Sequence, residues 1–183
     1  MTALLCSKLQ GRAGLVSRFR LPHRAKARVI PPRSMPLTQE AKSALEKQLL
    51  NRQQVLLDAI SAGDYETYTS LCDENITCFE PEAKSHLVQG LPFHKFYFDF
   101  GAKMATRAVP QPLQRELNTM SGASVRLLSD TSAVVAYVRL KQTAKHSPNV
   151  GHVPETIVSQ ETRVWQQFED GWKNVHLHRS MMS

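Results

Sequence analysis

The chain has 183 residues, a formal net charge of +7 and 42% hydrophobic side chains, enough for one domain of ordinary size plus a tail. No apolar run approaches the ~20 residues that a spanning helix requires. The charge sits unevenly: residues 1–39 carry eight Lys/Arg and no Asp or Glu, and the rest holds 15 basic against 16 acidic side chains. The folded part therefore lacks the basic surface of a duplex binder, and nucleic acid is excluded as the main partner. Cys6, Cys72 and Cys78 are odd in number and form no CxxC pair. This argues against a disulfide scaffold or a zinc site, and Cys72 and Cys78 read as small buried hydrophobes.

Residues 1–37 form a basic N-terminal segment with a weak helical stripe through Leu5, Leu9, Val16 and Phe19, broken by Pro22, Pro31 and Pro32. Arginine without acid is the composition of an organelle transit peptide, and scarce serine favours mitochondrion over chloroplast. The alternatives are a disordered basic arm, with the protein then cytoplasmic, or a calmodulin-target-like stretch. The folded domain is expected over 38–183. Thr38 caps a first helix with Glu40 in its first turn, an apolar face through Ala41, Leu45, Leu49, Leu56 and Ile60, and a stop at Gly63. Asp64 caps a shorter helix through Tyr68 and Leu71. A third helix is predicted over 92–103, where Phe93, Phe96, Tyr97 and Phe100 keep helical spacing and read as core. Residues 102–119, with Pro110 and Pro112, read as loop.

After residue 120 the period changes to two, which predicts strands over 123–129, 132–143, 155–168 and 172–180. Ser129-Asp130-Thr131 and Glu169-Asp170-Gly171 supply turns, and 144–154 a longer loop. Helices followed by an antiparallel meander give an α+β fold, a curved sheet wrapped around a long N-terminal helix.

On these strands alternation places Arg139 with Val135 and Tyr137, Arg163 with Glu161 and Trp165, and Arg179 with Val175 and Leu177. A guanidinium cannot discharge itself, so an inward one needs a carboxylate, from the protein or from a ligand. Glu161 is the nearest internal partner of Arg163, and a purely structural pairing competes evenly with ligand binding. His176 and His178 share a face, but no third metal ligand is signalled, and the sequence predicts neither a metal site nor a cofactor.

The runs FEPEAKSHLVQGLPFHKFYFD, AYVRL and SQETRVWQQFEDGWKNVHLHRS, in that order, resemble the association (hub) domain of calcium/calmodulin-dependent protein kinase type II, over about residues 45–181. That resemblance implies a cone-shaped fold of the nuclear transport factor 2-like superfamily. It also implies self-assembly into stacked rings of a dozen or more copies, and a cavity for small carboxylates lined by Arg139, Arg163 and Arg179, with Tyr68 and His94 near it. No kinase signature set and no calmodulin-binding segment between kinase and hub is expected, so a full-length kinase of the family would be a co-assembling partner. The alternative is a small cavity enzyme, isomerase- or hydrolase-like, acting on an acidic metabolite. Such an enzyme needs an acid and a base on the cavity floor, and no base is marked.

Fusing residues 1–40 to a fluorescent protein tests the import expectation. Organellar fluorescence is the expected outcome, and diffuse cytosolic fluorescence refutes it.

Overall fold

The computed structural model describes residues 27–32, 36–84, 86–107, 116–147 and 151–182. Helix α1 spans Gln39–Ala62; Thr38 Oγ1 accepts from the amide of Ala41 at 3.2 Å, as a cap should. It stops at Gly63, whose φ of 68° turns the chain left-handed while its N–H reaches the carbonyls of Ala59 and Ile60. Helix α2, Tyr65–Leu71, starts on Asp64, whose carboxylate accepts from the amide of Thr67 at 3.0 Å and its hydroxyl at 2.6 Å. There follow β1 (Cys72–Phe79), a 3-10 turn (Pro81–Ala83), β2 (Val88–Gln89) and α3 (Leu91–Arg107). The chain ends in β3 (Leu117–Leu127), β4 (Ser132–Ser147), β5 (Gly151–Phe168) and β6 (Gly171–Met181).

The six strands form one sheet in the order β2-β1-β6-β5-β4-β3. β3 to β6 make the expected antiparallel meander, but β1 adds to β6 in parallel, so the sheet is mixed. Register shifts between Ser121 and Ser124 and between Val164 and Trp165 mark bulges, and bulges bend strands. Val135, Tyr137 and Trp165 on the inner face pack with Leu49, Leu56 and Leu57 of α1, all 5% exposed or less. Each such leucine contributes on the order of 1.5–3 kcal/mol of burial. The helix also bonds the sheet: Gln53 donates to Tyr137 Oη at 2.8 Å and accepts from Trp165 Nε1 at 3.3 Å.

Several expectations need correction. β1 was not foreseen, because Asp73, Glu74 and Asn75 disfavour strand; the buried alternation of Ile76 and Cys78 decides it. α3 and β3 both run into the stretch expected to be loop, and residues 108–115 lie outside the described residues. β4 and β5 likewise continue into the expected loop, to Ser147 and from Gly151. Pro154 is tolerated there because β6 pairs with β5 only from Ser159 onward, leaving that edge open. The aromatic stripe of α3 is not core. Phe96 and Phe100 are 63% and 53% exposed, Phe93 and Tyr97 36% each, and the inward face belongs to His94 and Phe98. Within α3, Asp99-Phe100-Gly101 does carry the letters of the kinase DFG motif, but Asp99 is ion-paired to Lys95 at 2.7 Å on the exposed side of the helix.

Residues 28–30 of the basic segment lie along the end of β5: Val29 bridges Phe168, and Ile30 N–H donates to the Gln167 carbonyl at 3.1 Å. The rest of residues 1–37 falls largely outside the described residues, including the predicted tail helix.

Candidate functional site

Alternation along β4 and β5 points Tyr137, Arg139, Glu161 and Arg163 to the inner face, and all four are 6% exposed or less. Glu161 accepts from Tyr137 Oη at 2.5 Å, from Arg139 Nη1 at 3.1 Å, and from Arg163 Nε and Nη2 at 3.2 and 3.1 Å. Neutral acceptors hold two further donors: Arg139 Nε bonds Asn118 Oδ1 at 2.7 Å, and Arg163 Nη1 bonds Asn174 Oδ1 at 3.0 Å. Burial works against the Glu161 charge, but Arg163 first and then Arg139 outweigh it and hold its carboxyl down to about 2. Burial opposes the charge of Arg163 too, yet Tyr137 and Glu161 keep its pKa well above the ordinary value.

The bulge at Val175 resets the parity of β6. Asn174, Leu177 and Arg179 face inward, not the expected set of Val175, Leu177 and Arg179. Arg179 pairs with Glu80 at 3.4 Å and with Glu82, both from the turn after β1. Its Nε is buried without a partner, as are Glu80 Oε1 and His94 Nδ1. Burial, with Arg163 and Arg179 nearby, pushes the His94 imidazole down to about 4, so it is neutral at physiological pH.

These groups line one cavity of about 200 Å³ between α1, α2, α3 and the sheet. All six residues singled out from the sequence, Tyr68, His94, Arg139, Glu161, Arg163 and Arg179, lie on it. Glu80, Glu82, Tyr97 and the pair Lys141–Glu116 (2.8 Å) also line it and were not foreseen. Glu80 and Glu82 stand in the FEPEA run, but nothing in its spacing says that the turn folds back onto β6. The cavity has two poles. At the deep end two guanidiniums, Arg139 and Arg163, share one carboxylate; at the other, two carboxylates, Glu80 and Glu82, face one guanidinium. A larger cleft of about 450 Å³ lies beside Val29, Cys72 and Lys173, but among the described residues no arginine lines it, and its Lys173 is already paired to Asp170 at 3.0 Å. Of the two histidines that the sequence places on one face of β6, His176 is engaged by Thr77 Oγ1 at 2.7 Å.

The sequence profile of the calcium/calmodulin dependent protein kinase II association domain matches residues 45–183. The calcium/calmodulin-dependent protein kinase type II of Caenorhabditis elegans is 41% identical over 138 residues, 75% of this chain. The match spans only 17% of that kinase's own length. Among solved structures, a kinase II hub homology domain from the alga Chlamydomonas reinhardtii superposes with a TM-score of 0.65 at 45% identity, covering 77% of this chain and 99% of the other. A nuclear transport factor 2-like protein of Salmonella enterica, 16% identical with a TM-score of 0.57 over 78% of this chain and 94% of its own, shares the fold.

Because the folded pKa of Glu161 lies below its ordinary 4.5, its contribution to stability is complete above about pH 4.5 and is lost as pH falls toward about 2. Glu161→Gln leaves two buried guanidiniums without their anion and is expected to cost about 3–5 kcal/mol at neutral pH. Chemical denaturation across pH should show that loss together with a shallower acid limb. Unchanged stability and an unchanged limb would mean the pair is not buried.

Proposed function

The chain belongs to the calcium/calmodulin dependent protein kinase II association domain family, and we propose that it is an assembly subunit. In this reading it self-associates into a ring of roughly a dozen or more copies and holds a small carboxylate in the cavity of each. The assembly half rests on α3. Phe93, Phe96, Tyr97 and Phe100 form a contiguous exposed aromatic face, with Phe96 stacked on Phe100 at 6.0 Å between centroids. Such a patch marks a partner surface, and the family gives a second copy as the natural occupant. A full-length kinase of the same family would present an equivalent surface and could join the ring. The basic segment would act as a mitochondrial (alternatively chloroplast) address.

The ligand half rests on the deep pole, where two guanidiniums to one carboxylate, all three side chains 6% exposed or less, leave a positive excess. A visiting carboxylate would complete that balance with charge-assisted, bidentate hydrogen bonds. The enzymatic alternative is disfavoured by the same network. Tyr137 and Glu161, the nearest analogues of an acid and a base, are tied to Gln53, Arg139 and Arg163. Glu161, held near 2, is too weak a base for proton abstraction at neutral pH. Binding without turnover is the better reading.

Light scattering on the full chain at micromolar concentration is expected to give a particle of many copies, and Phe96→Glu with Phe100→Glu should dissociate it. A monomeric unmutated chain refutes the assembly reading. Separately, acetate, butyrate or succinate should raise the melting temperature where the matching amides do not. Arg139→Gln should abolish that shift without changing the mass of the particle. If the mass collapses instead, the arginine serves the scaffold and not a ligand.

A further inference from the structure

Three side chains, from β1, the residue that follows it and α3, converge beside the cavity. Cys78 comes from the end of β1, Glu80 from the residue before the 3-10 turn, and His94 from the first turns of α3. One ligand atom of each lies within 4.8 Å of the others. Cys78 Sγ stands 3.3 Å from His94 Nε2. A tetrahedral ion bonded at about 2.3 Å to sulfur and about 2.0 Å to nitrogen separates those two ligand atoms by about 3.5 Å, so the pair already spans nearly the right edge. The three residues are 0%, 7% and 5% exposed, and Glu80 Oε1 has no hydrogen-bond partner.

We propose that Cys78, Glu80 and His94 form a binding site for a soft divalent cation of the zinc type, with its fourth position open to the cavity that Glu80 and His94 line.

The charge balance supports a cation there. Glu80 and Glu82 face the single guanidinium of Arg179, an excess of one negative charge. A divalent ion displaces the thiol proton of Cys78 to solvent, and ion plus thiolate add one positive charge, which closes the balance. Without an ion, burial and then Glu80 raise the Cys78 thiol to about 12, and burial raises Glu80 against the pull of Arg179, with Glu82 adding to the rise. A bound cation reverses both effects, because a coordinating thiol loses its proton outright. His94 needs no deprotonation, since its imidazole is already neutral. Glu80 can ligate through one oxygen while Arg179 holds the other, an outer hydrogen bond of the kind that orients metal ligands. Sulfur, imidazole and one carboxylate select zinc or cobalt over calcium and magnesium, which want oxygen alone.

The test is a titration of the untagged, chelator-stripped full chain with Co²⁺, read by the thiolate-to-cobalt charge-transfer band in the near ultraviolet and by metal content after desalting. One equivalent per chain is expected, displaced by Zn²⁺. The band should vanish in Cys78→Ala and Cys78→Ser and drop at least tenfold in apparent affinity in His94→Gln. It should persist in Cys6→Ala, Cys72→Ala and His176→Ala. Should the Cys78 variants fail to fold by circular dichroism, Zn²⁺ protection of Cys78 from alkylation in the unmutated chain gives the answer at the peptide level. No band at saturating Co²⁺, a band that survives loss of Cys78, or alkylation of Cys78 indifferent to Zn²⁺ overturns the proposal. The titration contains no carboxylate and does not depend on particle mass, so its failure leaves the reading of the ring and its ligand standing.

Discussion

A carboxylate denied water must find its hydrogen bonds within the protein, and Glu161 finds four, from Tyr137, Arg139 and twice from Arg163. The rest of the architecture is arranged around that anion. Tyr137 passes the connection to Gln53 of α1 and, through it, to Trp165. Arg139 reaches Asn118 of β3, and Arg163 reaches Asn174 of β6. Five elements are thus tied to one buried charge, each by a bond whose loss would strand a polar group in a dry interior. The long helix and the curved sheet are held in register by this network as well as by their apolar faces, and the cavity is the space the network leaves.

The inward set on β4 and β5 was legible in the sequence because period-two alternation is unbroken there. The caps at Thr38 and Asp64 and the stop at Gly63 were legible for an equally local reason: each is fixed by one side chain or one φ angle. What the sequence hid was non-local. The bulge at Val175 swaps the face of everything before it on β6, so Asn174 replaces Val175 beside Arg163. β1 hides its strand behind Asp73-Glu74-Asn75 and is secured by parallel pairing to a strand nearly a hundred residues away. Glu80 and Glu82 enter the cavity because that pairing carries the turn after β1 over Arg179.

The orientation of α3 teaches a different lesson. Four aromatic residues at helical spacing describe an apolar face correctly, but periodicity does not say whether that face meets the molecule's own core or another molecule. The narrower stripe of His94 and Phe98 meets the core, packing on Tyr68 at 5.8 and 5.1 Å between centroids. The larger aromatic area is left outside, at a cost in exposed apolar surface that an isolated subunit has no reason to bear. The helix that closes the cavity with one side therefore carries its larger aromatic face outward on the other.

The choice of neutral acceptors fixes the two arginines in place without cancelling their charge. Asn118 and Asn174 each accept from a guanidinium with the amide oxygen, while the amide nitrogen donates to Ser61 Oγ or to the Val164 and His176 carbonyls. A carboxylate could not fill that double role, though it would bond the guanidinium more strongly. It would also cancel the surplus positive charge. With asparagine the directional bonds are made, each guanidinium is held in one orientation, and the charge remains available. The opposite pole follows the same rule with signs reversed, since Arg179 orients Glu80 and Glu82 without neutralising both. The cavity's polar groups are thus fixed by hydrogen bonds yet left electrically unbalanced at each end, a preorganised arrangement in which no side chain need turn to present its charge.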